Sequence, residues 1–436
     1  MSDLDWGEDE KIPFDYEPIE RKPAREYNRE IKRKQKESAT SKSRNWAYVL
    51  AALLFCAFAI MGYALVNVSA QIEKLKSERT NYTMNIASTD GNTSYAAAKG
   101  MLSTVSISAS TTNNGGTAEN FFHDAMASRG SGVILEVNKL TGDAYILTNY
   151  HVVCSTATLS AFAYHWVLLW DSVTPIPATY VGGSSQYDVA VLKIEDSMEI
   201  MNSTCTAVTI GNSLKLTVGE PVVAIGNSMA RNLRITTGVV SVEEELMGTS
   251  NYNMYISHSA DVNSGNSGGG LYNANGELIG IVNAKFRDVN ETSGVLIYRE
   301  VIHGMNYAIP SEMAVSIAKN IIRNNGTLKK PSIGLVLGNN VSYSNKFYNL
   351  TQDGYGYTTY NLYITKSTGS FWTNDKLISV SYEYGGETKT VQLDRLFALE
   401  SIMYNLDKRS NITFVVERKG AEKTINMTIE TVTSVS

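Results

Sequence analysis

Hydrophobic and polar positions divide the 436 residues into stretches of unlike texture. Residues 1–45 are charged throughout, with acids crowded into "SDLDWGEDE" and bases dominating from Arg21 to Arg44. That composition cannot bury a core and is expected to form a disordered cytoplasmic tail. From Trp46 to Val68, "WAYVLAALLFCAFAIMGYALVNV" carries no charged residue. About 20 apolar residues at ~1.5 Å rise cross a hydrocarbon layer of roughly 30 Å, so 46–68 is predicted to be a transmembrane helix with Trp46 and Tyr63 near its ends. Residues 69–99 turn polar again and read as a stalk, with Val68, Ile72 and Leu75 on one face of a brief helical extension.

Beyond the stalk the rhythm changes. Over 101–325, short apolar runs such as "GVILEV", "AYILTNYHVV", "WVLLW", "VAVLKI", "PVVAIGN" and "ELIGIVNA" recur between turn signals, which predicts a β barrel or sandwich. One segment, "SEMAVSIAKNIIRNNG", has helical periodicity through Met313, Ile317 and Ile321, starts at Pro310–Ser311 and stops at Gly326. A domain boundary follows near residue 328. Residues 328–436 then alternate in short strands ("NLYITKS", "DKLISVSYEY", "ETKTVQL", "NITFVVERKG", "KTINMTI") around a helix in "LDRLFALESIMYNL". Leu393, Leu396, Phe397, Ile402 and Met403 supply its apolar positions.

The basic cluster "KRKQK", with Lys42 and Arg44, precedes the apolar run, so the N-terminal side is expected in the cytoplasm and everything after Val68 outside it. Val68-Ser69-Ala70 resembles a signal-peptide cleavage site. The charged region ahead of it is too long for such a peptide, and the apolar run is too long as well, which favours an uncleaved anchor. A net charge of -5 gives nothing global directed at nucleic acid. Three cysteines cannot build a disulfide framework, and Cys154 and Cys205 are open either to pairing or to staying free. Neither C-x-x-C nor H-E-x-x-H spacing occurs, so no metal and no other cofactor is expected.

The stretch "NSGNSGGGL" (263–271) reads by itself as a linker, yet it runs into "LYNANGELIGIVNA", two apolar strands about a turn. A serine hydroxyl needs a base to take its proton and a third group to orient that base. Five histidines are available: His123, His151, His165, His258 and His303. His151 directly ends the strand "AYILTNY", and Asp188 directly precedes the strand "VAVLKI". Taken singly, each has a structural explanation.

Together, "LTNYHVV", "YDVAVLKI" and "GNSGGGL" resemble, in that order, the three signatures of chymotrypsin-like serine proteases, and more closely their HtrA (DegP-like) branch. "GSGVIL", "VGEPVVAIGNS", "TTGVVS", "GELIGIVNA" and "MNYAIPSE" add to the resemblance, which covers nearly everything after residue 45. It implies a mainly β fold: one transmembrane helix, a chymotrypsin-like double β-barrel over 100–327, and an α+β PDZ-like domain over 328–436. It implies His151 as general base, Asp188 as its orienting acid and Ser267 as nucleophile, with the N–H groups of Gly265 and Ser267 as oxyanion hole. Ser264 is the uninvolved serine, where the family often has proline. Gly270 and Ser228 also replace usual prolines and are expected to alter loop order rather than chemistry. Ser259 stands where the family usually has aspartate.

Asp261 and Asn283 are assigned to the substrate pocket. Asp261 lies at the spacing where trypsin-like proteases hold the acid at the pocket base, which would favour Lys or Arg in the substrate. The competing reading points it outward or pairs it with Lys285 or Arg287, and the aliphatic preference general to HtrA-like enzymes favours that one. In the PDZ-like part, "PSIGLVLG" makes Ile333, Gly334 and Leu335 the carboxylate-binding loop for C-terminal peptides. The glycines usual around the following "GD" are absent, Asn374 preceding Asp375.

The resemblance therefore implies a membrane-tethered, ATP-independent serine endopeptidase of bacterial type and trimeric form. It would act on unfolded, extended or regulatory extracytoplasmic polypeptides in quality control or stress response, without nucleic acid. Two alternatives stand beside it: a non-catalytic chaperone or peptide-binding scaffold, and a dedicated signalling protease cutting one membrane partner.

Overall fold

The computed structural model describes all residues except 1–23, 81–92, 123–125, 229–231, 247–253, 293–294, 337–340, 351–355 and 436. It falls into two compact units, Met1–Asn85 and Ile86–Ser436. The described part of the first is one helix, α1 (Ala24–Thr80). Its stretch Leu50–Ser69 is long and apolar enough to cross a membrane by length and composition. The helix begins at Ala24, inside the tail expected to be disordered. Arg, Lys, Glu and Gln are good helix formers, so a run unable to bury a core can still coil. Residues 1–23 of that tail and 81–92 of the stalk lie outside the described residues.

The second unit opens with α2 (Thr93–Met101) and continues into a closed barrel of six strands. These are β1 (Thr104–Ser110), β2 (Ser128–Asn138), β3 (Asp143–Thr148), β4 (Tyr164–Leu169), β5 (Ile176–Ser184) and β6 (Val189–Ile194), in the order β1-β2-β3-β6-β5-β4. A second closed barrel follows from β7 (Pro221–Gly226), β8 (Arg234–Leu246), β9 (Met254–His258), β10 (Gly270–Asn273), β11 (Leu278–Thr292) and β12 (Val295–Pro310), in the order β8-β9-β12-β11-β10-β7. Closure leaves neither sheet a free edge.

The nearly unbroken apolar runs have a physical cause. Successive side chains of a strand point to opposite faces, and here both faces are covered. In β6, Ala190, Leu192 and Ile194 fill the first barrel, while Val189 and Val191 enter a core shared with the second barrel and the C-terminal elements. In β7, Val222 and Ala224 fill the second barrel, while Val223 and Ile225 join the shared core. Helix α3 (Tyr150–Val153) is the short turn leaving β3, and α4 (Ser311–Arg323) buries Met313, Ile317 and Ile321 in the shared core.

The C-terminal elements are β13 (Lys329–Ser332), β14 (Val341–Leu350), β15 (Gly356–Ile364), β16 (Lys376–Tyr384), β17 (Glu387–Gln392), α5 (Leu396–Met403), β18 (Asn411–Arg418), β19 (Ala421–Thr428) and β20 (Thr431–Ser434). Six of the strands form a sheet in the order β14-β15-β16-β18-β19, with β17 also on β16, and β13 pairs with β20. Every residue of α5 is buried, which fits a helix enclosed by neighbours on all sides. It packs beside α4, where Asn320 Nδ2 and Arg323 Nη2 donate to the Tyr404 carbonyl at 2.8 and 3.2 Å.

Candidate active site

His151 lies in α3, just past the end of β3, and Asp188 lies immediately ahead of β6, the strand paired with β3. That pairing sets the imidazole against the carboxylate. Asp188 has φ +52°, the left-handed region, which costs a non-glycine residue about 1–2 kcal/mol and must be held by its surroundings. Asn149 Nδ2 contributes by donating to the Asp188 carbonyl at 2.9 Å. The carboxylate then collects three donors. Oδ1 accepts the His151 main-chain N–H at 2.9 Å, and Oδ2 accepts His151 Nδ1 at 2.7 Å and Asn283 Nδ2 at 2.7 Å.

With Nδ1–H given to a carboxylate, Nε2 is left as the acceptor, which is the tautomer a general base requires. Burial on its own would lower the imidazole pKa. The hydrogen bond and the charge of Asp188 outweigh it, so His151 sits above its ordinary value. The His151 side chain remains 36% exposed, within reach of a substrate.

Ser267 belongs to the second barrel, in the turn before β10. The turn is held by main-chain bonds: Asn266 N–H to Asn263 O, Gly269 N–H to Asn266 O, Gly268 N–H to Val282 O and Val282 N–H to Gly269 O. The first barrel grips it through Ser131, whose N–H donates to Ser267 O at 2.8 Å and whose hydroxyl donates to Gly265 O at 2.7 Å. Gly265 (φ +98°) and Gly268 (φ +83°) take angles that favour glycine. A Cβ at Gly268 would meet Ser131 O at 2.1 Å. Among the described residues, the N–H groups of Gly265 and Ser267 are spent on none of these bonds. Stabilisation of a developing oxyanion needs main-chain N–H donors left free beside the reacting hydroxyl. The Ser267 hydroxyl donates to Asn283 O at 2.8 Å, so Asn283 touches both the serine and, through its amide, Asp188.

The remaining candidates fall elsewhere. Asp261 is exposed, and its carbonyl accepts from Thr236 Oγ1 at 2.7 Å; the side chains of Lys285 and Arg287 lie outside the described residues. Asn283, assigned to the pocket from the sequence, sits between Ser267 and Asp188. His165 is buried with Nε2 on the Val153 carbonyl, and His258 is buried with its pKa pushed down to about 4 by that burial. His123 and the side chain of His303 lie outside the described residues. Cys154 and Cys205 are separate buried thiols. Ile333 is buried in the shared core, Leu335 packs partly against it, and Gly334 turns at φ +73°. Asn374 takes φ +70°, the angle for which asparagine is the most tolerant substitute for glycine, and Asp375 holds the Arg418 guanidinium by two bonds.

Gly270, where proline is usual, faces the Tyr272 ring, and a Cβ there would lie 2.4 Å from it. The tyrosine hydroxyl bonds Thr104 Oγ1 across the barrels at 2.7 Å, so the glycine makes room for an inter-barrel contact. Ser131, Asn149 and the Asn283 amide were missed as contributors. The first two stand within quoted stretches, "GSGVIL" and "LTNYHVV", but nothing in those strings marks the side chain that matters.

Residues 130–281 match the family described as trypsin-like peptidase domain, a span containing His151, Asp188 and Ser267. The chain is 32% identical over 219 residues to the serine protease Do-like HtrA of Lactococcus lactis, covering 48% of each chain. It is 32% identical over 196 residues to a probable periplasmic serine endoprotease DegP-like of Rhizobium meliloti, covering 45% of this chain and 34% of that one. To the periplasmic pH-dependent serine endoprotease DegQ of Escherichia coli it is 33% identical over 211 residues, covering 47% and 40%. The chain thus spans about half, or less, of the length of the curated relatives it matches. Over residues 130–281 the chain carries a trypsin-like peptidase domain, and across its two barrels it is similar to serine proteases of HtrA/DegP kind.

Proposed function

We propose that the chain is a membrane-tethered serine endopeptidase acting on extracytoplasmic polypeptides. The observation that carries this is the Asp188–His151 hydrogen bond of one barrel, linked through Asn283 to a glycine turn of the other whose Gly265 and Ser267 N–H groups enter none of the main-chain bonds that hold it. In this reading the Ser267 hydroxyl turns from the Asn283 carbonyl to His151 Nε2, yields its proton and attacks the scissile carbonyl. The resulting oxyanion is met by the N–H groups of Gly265 and Ser267, and His151 returns the proton to the leaving amine. An acyl-enzyme forms on Ser267 and is released by water, which His151 deprotonates in turn. No nucleotide enters these steps.

The substrates proposed are unfolded or regulatory proteins that present extended segments. Helix α1 would anchor the chain through 46–68, and the domain over 328–436 would take C-terminal peptides at the 333–335 loop. A homotrimer of the 100–327 domain is part of the same reading. The serine hydroxyl resting on Asn283 rather than on His151 supports a resting enzyme awaiting a signal, hence also a protease dedicated to one membrane partner.

The test is hydrolysis of casein by the detergent-solubilised full chain beside its Ser267→Ala twin. Turnover in the first and a loss of about four or more orders of magnitude in the second is expected. Equal rates in the two would end the proposal, and labelling of Ser267 by a fluorophosphonate without casein turnover would favour the dedicated signalling enzyme.

A further inference from the structure

Helix α5 of the C-terminal domain touches both barrels. Toward the second, Glu244 of β8 places its carboxylate on the first N–H groups of the helix, Oε2 accepting from Leu396 at 3.1 Å and Oε1 from Phe397 at 2.8 Å. The Tyr360 hydroxyl donates to the Glu244 carbonyl at 3.0 Å, and Arg395 Nη2 donates to the Leu216 carbonyl at 3.3 Å. This end of the helix is therefore fixed on the barrel that carries Ser267.

One turn further along, the helix meets the first barrel. Glu400, 4% exposed, accepts the Tyr187 hydroxyl on Oε1 at 2.5 Å, and the same oxygen pairs with the Lys330 ammonium. The Tyr187 ring stands edge-on to Tyr404, centroids 5.5 Å apart. Burial and the Glu400 charge raise the phenol pKa well above its ordinary value, so Tyr187 is the donor and Glu400 the acceptor. Tyr187 is the residue immediately before Asp188.

We propose that Glu400 is a positioning residue for the reaction: by anchoring Tyr187 it holds Asp188 in its left-handed conformation, with the carboxylate on His151. This rests on the endopeptidase reading above. The physical reason is the angle at Asp188. A non-glycine residue at φ +52° relaxes toward negative φ unless both flanks are held, and relaxation would swing the carboxylate away from the imidazole. One flank is β6, paired to β3 and β5. The other is the turn ending at Tyr187, whose side chain is fixed by the α5 socket. Because α5 is also pinned to the second barrel by Glu244, the anchor shares a frame with Ser267. The helix sets the acid–base pair of one barrel relative to the nucleophile of the other.

The experiment compares Tyr187→Phe, Glu400→Ala and Glu400→Gln in the full chain. Tyr187→Phe removes the hydroxyl alone and leaves the Glu400–Lys330 pair intact, so it reads the link even if Glu400→Ala folds poorly. Glu400→Gln keeps an oxygen able to accept from Tyr187. Two quantities are measured below the melting range: kcat and KM on casein, and the His151 titration followed by NMR, which needs no turnover. The proposal expects Tyr187→Phe and Glu400→Ala each to lower kcat about tenfold with KM little changed, and their combination to cost no more than either alone. Both should move the His151 midpoint downward, because the imidazole loses its carboxylate partner. Glu400→Gln should restore most of both.

Variants that lower only the melting temperature, with kcat and the His151 midpoint untouched, would overturn the proposal. Additive losses would do so too. If the wild-type chain proves inert on every substrate while the variants still shift the His151 midpoint, the positioning role stands and the endopeptidase reading falls. An inert chain with an unmoved midpoint ends both.

Discussion

In the first barrel the proposed acid and base, Asp188 and His151, are held largely by side chains, in the second the proposed nucleophile, Ser267, is held by main chain. Asp188 is fixed by donors from His151 and Asn283 and by Asn149 on its carbonyl. The Ser267 turn is fixed by N–H to carbonyl bonds and by glycine angles, with Ser131 reaching over from the other barrel. The first arrangement can be undone by exchanging one functional group at nearly constant volume. The second depends on main-chain groups along the turn, and at Gly268 and Gly269 it has no space for a single added carbon. The two halves should therefore fail in different ways.

The largest expected effect comes from the side-chain half. Asp188→Asn keeps shape and removes charge, so the imidazole loses the partner that fixes its tautomer, and kcat should fall about 10⁴-fold. Its pH profile adds a signed check. With His151 as the proposed base, activity requires its neutral form, so the rate should climb with pH through the imidazole pKa, which in the native protein lies above the usual ~6.5. With the Asp188 charge gone only burial remains, and burial lowers an imidazole pKa, so the acid limb should move below that value. A limb that stays put would show that Asp188 does not face His151 in solution.

Gly268→Ala tests the main-chain half. The new Cβ would fall 2.1 Å from Ser131 O and 2.3 Å from Thr148 Oγ1, at a φ that already disfavours alanine. The turn must move, and with it the Ser267 N–H. We expect loss of about 3 kcal/mol of stability or more together with the activity, read by thermal melting and fluorophosphonate labelling. A Gly268→Ala protein that melts normally and labels normally would break the contrast between the two barrels. Asn283→Ala is milder. It removes one donor to a charged carboxylate, worth about tenfold in kcat with KM unchanged.

How much of this could be read in the chain follows the same division. His151, Asp188 and Ser267 could be picked out as candidates because each is marked by its neighbours in sequence: a strand just ended, a strand about to begin, a glycine cluster. The groups that hold them were not, because their partners are remote in sequence. Ser131 and Gly265 lie 134 residues apart, Tyr187 and Glu400 213. Asn283 shows the limit most clearly: a pocket position from sequence, it turns its amide to Asp188, 95 residues away in the chain. The strands of 328–436 were visible by alternation, and the helix of α5 by its apolar positions. Glu400 in the middle of that helix reads as a solvent-facing residue until the surrounding cover is known. The helix over Ala24–Arg44 was hidden by reading charge as disorder, although propensity alone permits it.

The smallest expected effect separates the two contacts on α5. Tyr187 offers a neutral hydroxyl to a carboxylate already paired with Lys330. Glu244 instead buries its own carboxylate, and burial raises its pKa to about 7, only partly offset by the N–H bonds of Phe397 and Leu396 and the charge of Arg395. In the unfolded chain this group titrates near ~4.3. Between that value and about 7 the folded chain holds the extra proton, so stability must decline as pH rises through this window and level off above it. The decline amounts to about 4 kcal/mol at most and should appear as a few degrees in Tm between pH 5 and 8. Glu244→Gln should flatten that slope, and Tyr187→Phe should leave it in place while lowering Tm at every pH. If Glu244→Gln keeps the full slope, the carboxylate is not enclosed as the fold implies. The helix would then be tied to the second barrel only through the Arg395 and Tyr360 contacts with main-chain carbonyls.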